Sequence, residues 1–266
     1  MDTTLLASEP VLRFGAFIGV LAILAAWEAL APYQALRQPR AWRWSGNIGL
    51  VAVSTVLIRF AAPFAPAGAA LLARDQGIGL FNMAGAPAGL AFVASFLALD
   101  ILVYAQHRVL HTPLLWPLHR VHHSDLELDA TTGLRFHPLE IILSLALKIG
   151  AVFVLGAPPL AVLAFEVALN AASLFTHANV RMPANLERGL RWMIVTPLMH
   201  RGHHSAIRRE ADTNYGSIFS WWDRLFGSYL AAPAEGYDRM TVGVDAFRDP
   251  ADSRLDRLLG QPFRNA

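Results

Sequence analysis

Apolar residues in this chain come in long blocks. Residues 12–31 form the first, residues 48–72 the second, interrupted by Arg59, Pro63 and Pro66, and residues 88–105 the third. Two more, 141–155 and 160–175, are joined by Gly156, Ala157, Pro158 and Pro159, a turn signal. A helix needs about 20 mostly apolar residues to cross a bilayer. The pattern therefore predicts four to five spans, the last two being either short crossings or a re-entrant hairpin. Beyond residue 175 the chain turns polar, and the 231–266 stretch, with scattered charge and proline, reads as a peripheral cap. No long linker or second globular domain interrupts this order. The expected organisation is one domain, with N-terminal spans over 1–86, a core over 87–230 and a tail over 231–266.

Composition supports that pattern. Charged residues make up 16% of the chain, against about a quarter in soluble domains, and mean hydropathy is +0.39. The fold class expected is an all-α polytopic membrane bundle with a cytosolic helical cap. A net charge of +2 gives nucleic-acid binding no support, and the absence of cysteine excludes disulfides, thiolate-ligated haem, Cys-ligated iron–sulfur clusters and a Cys nucleophile. The segment MDTTLLASEP lacks a basic region before its apolar block, so that block reads as a span and not as a cleaved leader. The 32–46 loop carries Arg37, Arg40 and Arg43 and no acid, which places it in the cytoplasm by the positive-inside tendency. Counting crossings from there puts the segments after residues 105 and 175 on the same side. The expected location is a bacterial inner membrane, with the chemistry on the cytoplasmic face.

Arg59, Lys148 and Glu166 fall within the apolar blocks. Charges at membrane depth are costly and usually paired. Lys148 and Glu166 lie nine residues on either side of Ala157, so a helical hairpin brings them to one depth, where they either pair or snorkel outwards.

The ten histidines carry the candidate chemistry. They read as His107 and His111, His119 with His122 and His123, His137, His177, and His200 with His203 and His204. A short echo, His-Arg-x-His-His-Ser, occurs at 119–124 and again at 200–205. Residues four apart share a helix face, so His107 and His111 can address one ion, and so can the outer members of each HxxHH box. The adjacent histidine reaches either a second ion or the other side of the first. Imidazole suits iron, zinc, copper and nickel, and three boxes plus two single histidines suffice for two metals. Asp100, Tyr104, His107 and His111 form one stripe. Asp100 is thus a candidate hydrogen-bond partner for a ligand ring, or else a helix-end cap.

At these boxes the sequence resembles the fatty acid hydroxylase/sterol desaturase superfamily. The resemblance rests on DILVYAQHRVLH (100–111), LWPLHRVHHS (115–124), TGLRFHPLE (132–140), THANVRMP (176–183), TPLMHRGHHS (196–205) and NYGSIFSWWDRLFGSY (214–229), about half the chain in fixed order. It implies a non-haem di-iron centre (with zinc possible in isolated protein), O₂ as co-substrate and an apolar lipid entering from the bilayer. It also implies His107, His111, His119, His122, His123, His177, His200, His203 and His204 as ligands. Fatty acid 2-hydroxylases carry a further histidine where this chain has Arg181, whereas His137 resembles a histidine of the sterol-modifying branch. His137 is therefore expected as a tenth ligand, the alternatives being an outer-shell or helix-capping role. The exchange points to a sterol-like or other complex lipid, and to hydroxylation ahead of desaturation.

Asn179 is a candidate partner for a ligand or bound water, or a turn residue. Arg135 and Glu140 read as a local ion pair or as ligand-orienting groups. Asp212, Asn214 and Tyr215 are expected to fold the cap, and Trp221, Trp222, Phe226 and Tyr229 to form cap core or interface anchors. Arg208 and Arg209 read as cap charges or as docking for an electron donor. No flavin or nicotinamide fingerprint is visible, so electrons are expected from a separate ferredoxin, cytochrome b5-like protein or reductase. The competing reading is a non-catalytic membrane metal-binding or transport protein. That would place histidines along the spans as a path, whereas here they cluster at span ends. A zinc hydrolase would show a glutamate base as in HExxH, which is lacking.

Overall fold

The computed structural model describes residues 8–38, 40–61 and 65–265. Four of its helices are long and apolar enough to cross a membrane: α1 (Glu9–Leu30), α5 (Ala88–Leu110), α7 (Pro138–Leu155) and α8 (Pro159–His177). Between the first two lie α2 (Arg40–Ala61), α3 (Pro66–Asp75) and the single turn α4 (Leu80–Met83). The second apolar block is therefore two helices. Pro63 lies outside the described residues, and Pro66 starts α3, the position where its missing N–H costs nothing. Among the described residues there is no strand, only three isolated β-bridges.

The long helices keep apolar side chains on their outer faces. Val11, Phe14 and Ile23 of α1 and Val154 of α7 are all more than 60% exposed. Helices that are apolar all round match hydrocarbon and not water. The 141–155 and 160–175 blocks form a hairpin, because α7 ends at Gly156 in the left-handed conformation (φ 64°) and Pro158 and Pro159 open α8. The hairpin brings Lys148 Nζ to 3.3 Å from Glu166 Oε1, so of the two alternatives left open by their spacing, pairing and snorkelling, the structure has the pair. Arg13 of α1 joins them, 2.9 Å from Glu166 Oε2 and 2.8 Å from Glu9.

α8 is the central helix. It packs on α1, α3, α5 and the 3₁₀ turn Ala130–Leu134. Gly133 permits the last contact, since a Cβ there would sit 2.5 Å from the Ser173 carbonyl oxygen. The polar end of the bundle is built from short helices: α6 (Trp116–His123), α9 (Ala184–Leu190), α10 (Pro197–His203), α11 (Arg208–Ala211) and α12 (Trp221–Leu225). The tail returns as α13 (Leu255–Gly260), whose buried Leu258 packs with Leu50 and Val121. Arg43 of α2 clamps the loop after α6. Its Nε and Nη2 meet the two carboxylate oxygens of Asp125 at 2.8 and 2.9 Å, and its Nη1 meets Asp129 at 2.7 Å.

Candidate metal centre

Four elements converge at the polar end, each bringing histidines. α5 supplies His107 and, at its C-cap, His111. α6 supplies His119, His122 and His123. α8 ends on His177. α10, started by Thr196 as N-cap with Pro197 behind it, supplies His200 and His203, and its C-cap is His204. All nine are less than 9% exposed.

They form two groups. His107, His111, His119, His123 and His203 make one, and His122, His177, His200 and His204 the other, with the ligand atoms in each lying within 4.8 Å of one another. Helical phase explains the division. In each HxxHH box the outer histidines, four apart, share a group, and the middle one, rotated to the neighbouring face, crosses to the other. The groups adjoin, with the His123 and His204 rings stacked at 4.5 Å between centroids.

The rings are presented as lone-pair donors. His107 Nδ1 lies 2.8 Å from the Tyr215 carbonyl oxygen, His203 Nδ1 2.6 Å from that of Thr213, and His177 Nδ1 2.6 Å from that of Ser173. A carbonyl only accepts, so each Nδ1 carries the proton and each Nε2 is bare. His111 and His119 are held by carboxylates, from Asp212 and Glu140, each at 2.9 Å. The Nε2 atoms of His107, His111, His119, His123 and His203 are buried with no hydrogen-bond partner. In the second group, Nε2 of His177 faces Nε2 of His122, His200 and His204 at 3.0, 3.1 and 3.0 Å in the order His122, His204, His200. One bare lone pair cannot satisfy three such neighbours, whereas a cation among four imidazoles satisfies all. His122 is steadied by Phe136, stacked at 4.3 Å. The Nδ1 atoms of His122, His200 and His204 have no protein partner. Burial, reinforced by repulsion from neighbouring rings, pushes the pKa values of His111, His122, His123, His200 and His204 down, and burial lowers that of His203 to about 3. At neutral pH these rings are uncharged, as metal ligation requires. The donor set fits two borderline transition-metal ions.

Three expected site residues take other places. His137 is not in either group. It is the N-cap of α7, its Nδ1 accepting from the Leu139 N–H at 3.2 Å while its Nε2 lies 3.2 Å from the Leu259 carbonyl oxygen. Both nitrogens are engaged there, and His137 stands apart from the two groups. Asp100 does not reach a histidine. Its Oδ2 accepts from Trp222 Nε1 at 2.8 Å and from the Phe219 N–H at 3.3 Å, tying the α12 region to α5. Asn179 binds Gln34 instead, accepting from its N–H and donating to its carbonyl oxygen at 3.0 and 2.7 Å. The orienting roles fall to Glu140, Asp212, Thr213, Tyr215 and Ser173. Arg135 and Glu140 do not pair, because Arg135 bonds Val121, Asn47 and Ser124. Glu140 carried a signal: it lies in the first turn of α7, three residues after His137.

Outer-shell partners of metal-bound histidines typically contribute about 10–100-fold to metal affinity. Glu140→Gln is expected to weaken binding at the five-histidine group by about tenfold, and Glu140→Ala by nearer 100-fold. Competition with a chelator checks this, and equal affinities for the two variants would exclude an orienting role.

A cavity of about 770 Å³ abuts the histidines. His107, His119, His122, His177 and His200 line one end, apolar side chains such as Phe17, Val103 and Leu169 its length, and Glu9, Arg13 and Lys148 the other end. Phe14 and Thr55, which also line it, are exposed, so the cavity reaches the outer surface between α1 and α2.

The fold and site define a membrane helical bundle with an adjoining pair of buried histidine groups. Residues 92–228 match the family model for fatty acid hydroxylase, and the chain belongs to that family. Among curated proteins it is 30% identical over 224 residues to an ornithine lipid hydroxylase of Rhizobium tropici, covering 82% of this chain and 66% of that one. It is 31% identical over 156 residues to the alkylglycerol monooxygenase of Homo sapiens, 58% of this chain and 34% of that one. A putative Delta(7)-sterol-C5(6)-desaturase of Arabidopsis thaliana is 29% identical over 150 residues, 54% of this chain and 50% of that one. The chain thus spans between about a third and two thirds of these relatives' lengths. No solved structure matches it.

Proposed function

We propose that the protein is an O₂-dependent membrane lipid hydroxylase whose two iron ions are held by His107, His111, His119, His123 and His203 on one side and by His122, His177, His200 and His204 on the other. The observation that carries this reading is the pair of converging, buried sets of imidazole nitrogens at the end of an apolar cavity. Bound iron supplies the oxidising power that an unactivated C–H bond requires and that side-chain acid–base chemistry lacks. The chain's own part is placement. Glu140, Asp212 and three backbone carbonyls hold the rings in one tautomer, and the apolar cavity excludes water from the reacting carbon. Zinc in the isolated protein is compatible with the same ligands.

The substrate class proposed is a complex lipid with a long alkyl portion, entering between α1 and α2. The relatives named as hydroxylase and monooxygenase support hydroxylation ahead of desaturation. The arginine-bearing segment after α1 packs at the histidine end, where Glu127 accepts from the Arg37 and Gln38 backbone N–H groups. This supports a cytoplasmic position for the metals, reached by a separate electron donor, in a bacterial inner membrane.

The test is comparison of lipids from cells with and without the protein under ¹⁸O₂. A lipid species carrying one added ¹⁸O is the expected result, and identical lipid profiles with no label would sink the reading. Ser144 lines the cavity. Ser144→Phe is expected to lower kcat/KM for the labelled lipid by about 10²-fold through misplacement of the chain, with metal content unchanged. A variant as active as the parent would show that the substrate does not use this cavity.

A further inference from the structure

Beside the five-histidine group the molecule carries a patch of aromatic and basic residues that metal binding does not use. Trp116 opens α6, half-buried, with its ring 5.1 Å from those of both His111 and His123. The Arg208 guanidinium lies over the indole at 4.1 Å, and the Arg208 side chain is 45% exposed. The indole is therefore one layer below the surface and in ring contact with two candidate ligands. Arg108 on α5 and Arg209, next to Arg208 on α11, are also exposed. Arg108 sits 5.9 Å from the ring of Tyr215, itself 5.0 Å from His111. Asp212 is engaged by Arg208 and His111, and among the described residues Arg108 and Arg209 make no ion pair, Asp223 being the buried acid whose field Arg108 feels. Arg208 also lines a hollow shared with Glu210, Glu235 and Asp245, which bounds the patch on that side.

We propose that this patch docks an acidic one-electron carrier protein, and that Trp116 is the ring through which its electrons reach the histidine groups. The inference rests on the hydroxylase reading, because that reaction needs reductant. One lipid C–H, one O₂, two electrons and two protons give one C–OH and one water. Two carriers are each oxidised once, and the O₂ they help to reduce ends as the inserted hydroxyl oxygen and as water. Electron transfer falls steeply with the gap to be crossed, and an indole packed between surface and ligand rings shortens that gap. Exposed arginines outside ion pairs steer an acidic partner and fix its orientation, an effect that salt screens.

The probe is a plant-type [2Fe–2S] ferredoxin, tested on the full chain in detergent. At low salt, Arg108→Glu combined with Arg209→Glu is expected to weaken ferredoxin binding roughly tenfold, and the difference from the parent should vanish at high salt. At saturating ferredoxin, Trp116→Leu is expected to slow reduction of the bound iron by reduced ferredoxin roughly tenfold, with reduction by dithionite unaltered, while Trp116→Phe restores most of the rate. An unbound ferredoxin, or binding indifferent to the charge reversal, overturns the docking surface. Equal slowing with dithionite, or none with ferredoxin, overturns the role of Trp116. Neither readout involves lipid turnover, so failure of the hydroxylase reading shows separately, as missing ¹⁸O-labelled product.

Discussion

His177→Ala is expected to lower the metal content of the purified protein from about two ions per chain to about one and to abolish lipid oxidation, since a site missing a ligand on which the others converge loses most of its affinity. The reason lies in the geometry of the four-histidine group. Nε2 of His177 stands 3.0–3.1 Å from its three counterparts, and its orientation is fixed by the Ser173 carbonyl on the preceding turn of α8. Removing it leaves His122, His200 and His204 without their common focus. The fold should survive, because α8 is anchored elsewhere along its length against α1, α3 and α5. His137→Ala is the paired control. It deletes a helix N-cap, costing about 0.5–2 kcal/mol of stability, and both ions should remain. Elemental analysis of the two variants decides the matter. Full metal in the first, or loss of an ion in the second, would falsify the nine-ligand assignment.

Arg43→Met should be the most destabilising single substitution outside the metal site, at about 3–5 kcal/mol, the cost of leaving buried charges without their partner. Arg43 is 2% exposed and makes a two-pronged contact with Asp125, a bond to Asp129 and further bonds to Thr132 and the Glu127 carbonyl. Its loss strands two carboxylates that are themselves fully buried. Asp125 follows the α6 histidine box directly, and Asp129 caps the 3₁₀ turn packed against α8. The damage should therefore reach the metal site as well as the fold. Arg43→Lys keeps the charge but not the planar fork, and should fall between the parent and Arg43→Met. Thermal unfolding in detergent checks this, with a drop of roughly 10 °C expected for the Met variant. A loss below 1 °C would mean that the clamp contributes nothing net.

Much of the architecture was legible along the chain. Four apolar blocks became α1, α5, α7 and α8 with ends shifted by a few residues, because hydrophobic length is a local property. The Gly-Ala-Pro-Pro turn followed from residue chemistry, and equal spacing put Lys148 and Glu166 at one depth, where only the structure chose pairing over snorkelling. The second block, counted as one despite Arg59, Pro63 and Pro66, is divided between α2 and α3. The partners of the histidines were read less well. Asp100 lies on the right stripe of α5, yet Trp222 and Phe219 capture it. Asp212 and Tyr215, read only as cap residues, hold His111 and His107, and Thr213, which no sequence signal marked, holds His203.

Residue order alone established a membrane helical bundle and eight histidines in three boxes, with His177 single, at or beyond the ends of apolar blocks. Both properties depend on residue type and on a repeat of 3.6 residues per turn. Only the tertiary structure decided how those histidines divide five and four, that His137 caps a helix instead of joining them, and that a cavity runs from them to Arg13 and Lys148. Each of those outcomes depends on the separation and rotation of helices far apart in the chain. Packing between elements sets those quantities, and no local pattern encodes them.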